Sequence, residues 1–285
     1  MLLYVEAYDP RQEVITLSTS NYWAEREAAA RQELMDKSIK EIDKRLKKYY
    51  IRLSKQLIND YQALYAEVLL KQAAGEQVSP ATLYSLDKFW ELQAQTKKLL
   101  NKFGAYQQSL LSKVFQVFYQ KSYNSINIKG LEAFNTLDEA AVQQVINQVW
   151  CSDGKSWSNR IWSNTAQLQQ TLEEGLIECV AAGKKTTQLK QILQNRFNVS
   201  YHRADTLVRT EIAHIQTEAA KQRYKDYGIQ QVQFWAAPDE RTCEVCGKLH
   251  KKIYPVGANI PCPAHARCRC TILPVVDIPQ TNNNE

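Results

Sequence analysis

Between Thr242 and Cys270 the chain gathers Cys243, Cys246, Cys262, Cys268 and Cys270 with His250 and His265. Thiolates and imidazole nitrogens are the donors that zinc prefers, and thiols also form disulfides and carry redox chemistry. Spacing decides among these. Cys243-Glu-Val-Cys246 places two residues between the thiols, so both sulfurs reach one ion from a tight turn. Gly247 follows, and is expected to let the backbone curl so that its N–H groups bond the sulfurs. After eighteen intervening residues His265, Cys268 and Cys270 supply a second ligand group across a short hairpin, the plan of a structural zinc site.

Five donors then compete for four places. If Cys268-Arg-Cys270-Thr-Ile is a strand, Cys268 and Cys270 point the same way. The preferred set is Cys243, Cys246, His265 and Cys270, with Cys268 as the substitute; Cys262, between two prolines, and His250 are weaker candidates. A catalytic zinc keeps an open position beside a general base. Asp239 and Glu240 are close in sequence, but a closed, cysteine-rich set of four is structural, so no enzymatic activity is expected. A redox dithiol would need a thioredoxin-like strand–helix context, which the sequence lacks.

The totals agree with a metal clip. No apolar run approaches the roughly 20 residues that span a bilayer. The opening MLLYVEAYDP meets Glu6 and Asp9 and has no basic leader, so it does not read as a signal peptide. Synthesis in the cytosol is the expectation, and reducing compartments keep thiols free for metals. The other two of seven cysteines, Cys151 and Cys179, stand alone and read as small core residues. The 285 residues carry a net charge of +6. From Arg241 to Cys270 there are Arg241, Lys248, Lys251, Lys252, Arg267 and Arg269 against Glu244, a patch that zinc-bound thiolates would partly cancel.

The elements that must position this cluster are mostly helical. Nine glycines and eight prolines are few for such a length, which favours long helices. From about Tyr22 to Ala74, Ile39, Ile42, Leu46, Tyr49, Leu53 and Leu57 keep the three–four spacing of an apolar stripe, with Lys and Arg crowding the other faces. Gly75 suits a C-cap, and Ser79-Pro80 an N-cap with proline at the first helical position. A second helix follows, interrupted at Gly104 or continuing to about Ile126. A short helix is expected after Thr136 as cap, with Glu139 three residues on. Asp153-Gly154 is a turn, Ser156 to Cys179 a helix bearing Trp157, Ile161, Leu168, Leu172 and Leu176 and closed by Gly183, and Thr187 to Phe197 a shorter helix.

The segment HRADTLVRTEIAHIQTEAAKQRYKDYGI is helical again, with Ala204, Val208, Ile215 and Ala219 on one face and Gly228 at its end. Glu211 lies on that same stripe. A carboxylate there must be paired, because an unpaired buried charge is too costly; a strut to a neighbouring backbone or arginine is the expected role. Beyond Gly228 the period changes to two, and IQQVQFWAA, KKIYPV and CTILPVV read as short strands.

DGKSWSNRIW, LVRTEIAHIQTEAAKQRYKDYGI, APDERTCEVCGKL and HARCRC, in that order, resemble the tailed-bacteriophage minor head protein family with its Mu F-like head-morphogenesis domain. The likeness covers roughly residues 150 to 275, and NYWAERE with the long helices after it is similar to members from Gram-positive phages and prophages. Ala266, where the family often has proline, and the additional Cys262 depart from the pattern. Carried over, Arg209, Thr210 and Glu211 are the Arg-Thr-Glu motif, and Cys243, Cys246, His265, Cys268 and Cys270 the cysteine–histidine motif. The resemblance implies a low-copy protein of the procapsid, associated with the portal and assisting head assembly and DNA packaging or delivery.

The expectation is therefore a mainly α protein with an elongated N-terminal helical hairpin or bundle (residues 1–150). A head-morphogenesis domain (151–278) follows, helical and then small β, stabilised by structural zinc, before a disordered tail (279–285). Expected partners are portal, capsid or scaffolding proteins and DNA inside the capsid, without a membrane, and the expected location is the virion after assembly in host cytoplasm. The rival expectation is a nucleic-acid-binding zinc module acting through the basic patch. A toxin enzyme joined to such a domain is the weakest expectation, because only a short polar tail is read after the cysteine module.

Overall fold

A computed structural model describes residues 21–128, 137–237 and 242–275. Helix α1, Asn21–Ala73, runs for 53 residues. Its buried row, Ile39, Ile42, Leu46, Tyr50, Leu53, Leu57 and Tyr61, carries the predicted three–four spacing. Tyr49 is half-buried and stacks on Phe103 and Tyr106. Gly75 ends the helix as expected, taking φ +86 while the Glu76 N–H returns to the Lys71 carbonyl.

Pro80 opens the one-turn-and-a-half α2, Pro80–Tyr84, after which the chain breaks at Ser85 and Leu86 before α3, Asp87–Ser125. Gly104 does not interrupt α3. A Cβ there would sit 2.7 Å from the Trp162 ring, so the missing side chain makes room for a neighbouring helix rather than for a bend. Helix α4, Glu139–Asn147, is capped by Asp138, whose carboxylate accepts from the Ala140 N–H. Thr136, the expected cap, lies outside the described residues, as does the 279–285 tail.

Helix α5, Trp157–Ala181, begins behind Ser156, which exchanges backbone and side-chain bonds with Asn159. Gly183 turns the chain at φ +57 into α6, Thr186–Asp226. Two helices were expected in this stretch, and one of 41 residues forms. No glycine or proline stands between Thr186 and Asp226, and Leu189, Leu193, Phe197, Ala204 and Val208 continue one buried row across the expected gap.

Cross-links fix how the long helices run. Lys88 meets Glu67 and Gln95 meets Asp60, so α3 runs antiparallel to α1. Gly175 packs on Ile192 while Asn164 donates to the Ser200 carbonyl, so α6 runs antiparallel to α5. Tyr50 and Ser200 together with Arg31 and Gln216 set α6 antiparallel to α1. The result is a four-helix, up-and-down bundle. One apolar core joins the later half of α1 to the start of α3, the end of α5 and the start of α6. A second joins early α1 to late α3, α4 and late α6. Both cores draw on residues from either side of position 150. Among the described residues no helix is long and apolar enough to cross a membrane.

After Gly228 the chain forms β1, Gln231–Trp235, the short α7, Glu244–Leu249, then β2, Ile253–Pro255, and β3, Thr271–Val275. The sheet order is β2-β1-β3, all antiparallel, with Val232 opposite both Tyr254 and Pro274. Its inner face, Val232, Phe234 and Ile272, shares a core with Tyr224, Ile260 and four of the cysteines.

Candidate metal centre and the helix that carries it

Cys243 caps α7. Its backbone is extended, and its Sγ accepts the Cys246 N–H at 3.4 Å, so the Cys-x-x-Cys turn is the first turn of a helix. Gly247 plays a different part from the expected one. It lies inside α7, without a positive φ, and its N–H bonds the Cys243 carbonyl rather than a sulfur.

The loop from Ile260 to Cys270 folds over α7 and delivers the remaining donors. His265 Nε2 stands 3.3 Å from Cys243 Sγ and 3.2 Å from Cys246 Sγ. Its Nδ1 is 2.8 Å from the Ala266 carbonyl, which only accepts, so the proton sits on Nδ1 and Nε2 is left as a free lone pair. Cys246 Sγ is 3.7 Å from Cys268 Sγ. The donors form two sets sharing Cys246: Cys243, Cys246 and His265, and Cys246, Cys268 and Cys270, each within 4.8 Å. These residues could hold a metal ion. Around a tetrahedral ion with zinc's bond lengths, two thiolates lie about 3.8 Å apart and a thiolate and imidazole nitrogen about 3.5 Å. Three separations, Cys243–His265, Cys246–His265 and Cys246–Cys268, come near those edges; the two triads meet only at Cys246.

Cys268 and Cys270 do not sit in a strand, because pairing with β1 begins only at Thr271, opposite Trp235. They differ in environment. The Cys270 thiol and backbone N–H groups turn toward Cys268 and hold it as a thiolate, down to about 5, while the same bond and burial push Cys270 up. Burial pushes Cys246 up to about 12. Cys243 is lowered, first by the Cys246 N–H.

The weaker candidates are engaged elsewhere. Cys262 is fully buried and pushed up to about 12, accepting from the Thr217 hydroxyl and facing the Cys270 carbonyl. His250 Nδ1 accepts the Ala236 N–H, and its ring meets Trp235 edge-on. Asp239, Glu240 and Arg241 lie outside the described residues. Of the lone cysteines, Cys179 is buried in the first bundle core and Cys151 is half-exposed.

Thr210 and Asp205 bolt this module to the bundle, while Arg209 pairs with Asp205 along α6 and Glu211 faces Trp150. Thr210 Oγ1 accepts the Arg267 main-chain N–H at 3.0 Å and donates to the Thr206 carbonyl. Asp205 sits between two guanidiniums, Arg209 at 2.9 Å and Arg267 at 2.9 Å. Arg267 itself takes a left-handed φ of +61, which aims its N–H at α6. Glu211 is 3 % exposed, and the Trp150 indole N–H donates to it at 3.0 Å. Burial dominates there and pushes the carboxyl up to about 7. The expected strut exists, but its partner is an indole rather than a backbone or arginine. Next to it the His214 ring stacks on Trp150, centroids 4.3 Å apart, and burial holds it neutral, its pKa lowered to about 3.

Trp150, Arg160, Arg203, Thr210, Glu211 and His265 border one groove of about 780 Å³ between α5, α6 and the clip loop. Two residues that sequence patterns did not single out also hold the module. Arg31, fully buried, donates to the Ile272 carbonyl at 2.6 Å and bonds Glu27 and the Tyr224 hydroxyl. Asp205 had no signal beyond standing four residues before Arg209.

No curated protein and no solved structure matches the chain. Residues 170–273, which run from the middle of α5 through α6 and the cysteine clip into β3, match the model of the family described as Phage Mu protein F like protein.

Proposed function

We propose that the chain is a minor protein of a phage head, built into the procapsid and associated with the portal, where it assists assembly and DNA packaging or delivery. The observation that supports this is the coincidence of the family match with a single mechanical unit, the Arg-Thr-Glu part of α6 bolted to the cysteine clip. Its role is structural rather than enzymatic. The buried carboxylate, Glu211, is satisfied by Trp150, and the metal donors are closed around one another.

The clip binds one zinc through Cys243, Cys246, His265 and Cys268. Cys268 takes the place for which Cys270 was preferred on sequence, because its sulfur stands one tetrahedral edge from Cys246. Cys270 remains a thiol that donates to Cys268. The zinc supplies folding energy to a three-stranded sheet too small to hold itself.

Two measurements test the reading. Procapsids assembled from a cognate phage's head proteins with this chain should incorporate it in few copies and lose it when the portal protein is omitted; incorporation without portal overturns the portal association. Metal analysis of purified protein should give about one zinc per chain, and less than half an equivalent overturns the site.

A further inference from the structure

The basic patch of the C-terminal module is mostly spent inside the molecule. Lys248 is paired with Glu244 at 2.5 Å, and Lys251 lies over the Trp235 ring. Arg267 is held by Asp205, and Arg269 has a partner within the chain. Of the described members only Lys252 is left.

Helix α1 presents the opposite case. Lys40, Lys44, Lys47, Lys48 and Lys55 are all exposed, and no carboxylate pairs with them among the described residues. At 100° per residue they fall on the side of α1 opposite the buried row Ile42, Leu46, Leu53 and Leu57. The nearby acids have other partners: Glu33 has Lys37, Asp36 accepts from the Gln32 amide, Glu41 has Arg45, and Asp43 the Tyr201 hydroxyl. From Lys40 to Lys55 the stripe extends about 22 Å at ~1.5 Å per residue.

We infer that this stripe is a docking surface for the phosphate backbone of duplex DNA, read without regard to sequence. The choice of occupant follows from the side chains. Lysines are compact, mobile point charges that neutralise phosphates, and a straight helix face sets them along a line. A protein interface would need an apolar centre, and the stripe offers Ile51 alone. The arginines beside the stripe are engaged, Arg45 by Glu41 and Arg52 over the Tyr49 ring, and the stripe itself carries no aromatic platform for unstacked bases. This inference does not depend on the head assignment.

The test uses the full chain with a random-sequence duplex of about 30 base pairs, several times the stripe's length at ~3.4 Å per pair. Fluorescence anisotropy is followed from low to high salt, beside poly-glutamate as a second polyanion. The quadruple variant Lys40→Gln, Lys44→Gln, Lys48→Gln, Lys55→Gln should bind at least roughly tenfold more weakly, with a log–log salt slope shallower by about 3 to 4. All four positions are exposed, and circular dichroism should show unchanged helix. The pair Lys248→Gln, Lys252→Gln should bind as wild type does. The inference is overturned by absent or salt-insensitive duplex binding, by a quadruple variant with wild-type affinity, or by loss through the Lys248/Lys252 pair instead. Poly-glutamate bound more tightly than duplex would assign the stripe to an acidic protein and overturn it as well.

Discussion

The Arg267 main-chain N–H donates to Thr210 Oγ1 at 3.0 Å, which joins the turn carrying His265 and Cys268 to the middle of α6. The cysteine–histidine loop and a long helix are thereby one body, with Thr210 at the seam between them. Asp205 reinforces the seam by accepting from both Arg209 and Arg267.

Thr210→Val keeps the shape and loses both hydroxyl bonds. The expected cost is about 1 kcal/mol, or a Tm lower by roughly 2–4 °C, with faster loss of zinc to a colorimetric chelator. Thr210→Ser should restore both properties. A valine variant with wild-type Tm and zinc loss would show that the seam rests on the Asp205 pairs alone.

Glu211 makes stability depend on pH with a definite sign. Its folded pKa, about 7, lies above the ordinary 4.5, so its contribution is full below about pH 4.5 and is lost as pH rises through 7. The difference is on the order of 3 kcal/mol. His214, lowered to about 3, acts oppositely: its contribution is present above 6.5 and lost as pH falls. The two overlap, so the informative quantity is wild type against Glu211→Gln. The glutamine still accepts from Trp150, and urea unfolding should show the variant gaining on wild type from about pH 5 to pH 7 and levelling off above. Equal pH profiles would place the Glu211 carboxyl near its ordinary value.

Removal of zinc should unfold the clip before the bundle. With a strong chelator, the buried Cys262 thiol should become reactive to a thiol reagent at a lower temperature than the helical circular dichroism signal is lost, since the sheet core contains the candidate donors and the bundle cores do not. Cys268→Ser should bind little zinc and Cys270→Ser should retain about one equivalent. The reverse pattern would restore Cys270 as the fourth ligand.

Gly104 lies beneath Trp162. Alanine there improves helix propensity by roughly 1 kcal/mol but drives a Cβ into the indole. The Gly104→Ala single variant should gain no stability, while Gly104→Ala in a Trp162→Ala background should gain about 1 kcal/mol over Trp162→Ala alone. Additive thermal shifts would mean that Trp162 moves aside at no cost.

Local chemistry carried much of this far. The apolar rows of α1 and α5, the turns at Gly75 and Asp153-Gly154, the three strands and the metal donors follow from side-chain period, backbone freedom at glycine and ligand spacing, all of which act within a few residues. The Cys-x-x-Cys and His-x-x-Cys-x-Cys spacings are legible because donors that could share one ion must come together from two tight turns.

What required the tertiary structure are relations between distant residues. Periodicity marked Glu211 as buried but could not name Trp150, sixty-one positions away, because an indole N–H satisfies a carboxylate as well as arginine does. The sequence held no sign of Arg31 as a buried anchor among the lysines and arginines of α1, since burial depends on where Tyr224 and Ile272 arrive. Nor could spacing choose between Cys268 and Cys270, two residues apart in a loop whose path is set by β1 and Thr210. Sequence determined which groups exist and their local geometry; packing across the bundle decided which of them meet, because burial and pairing are properties of the assembled core.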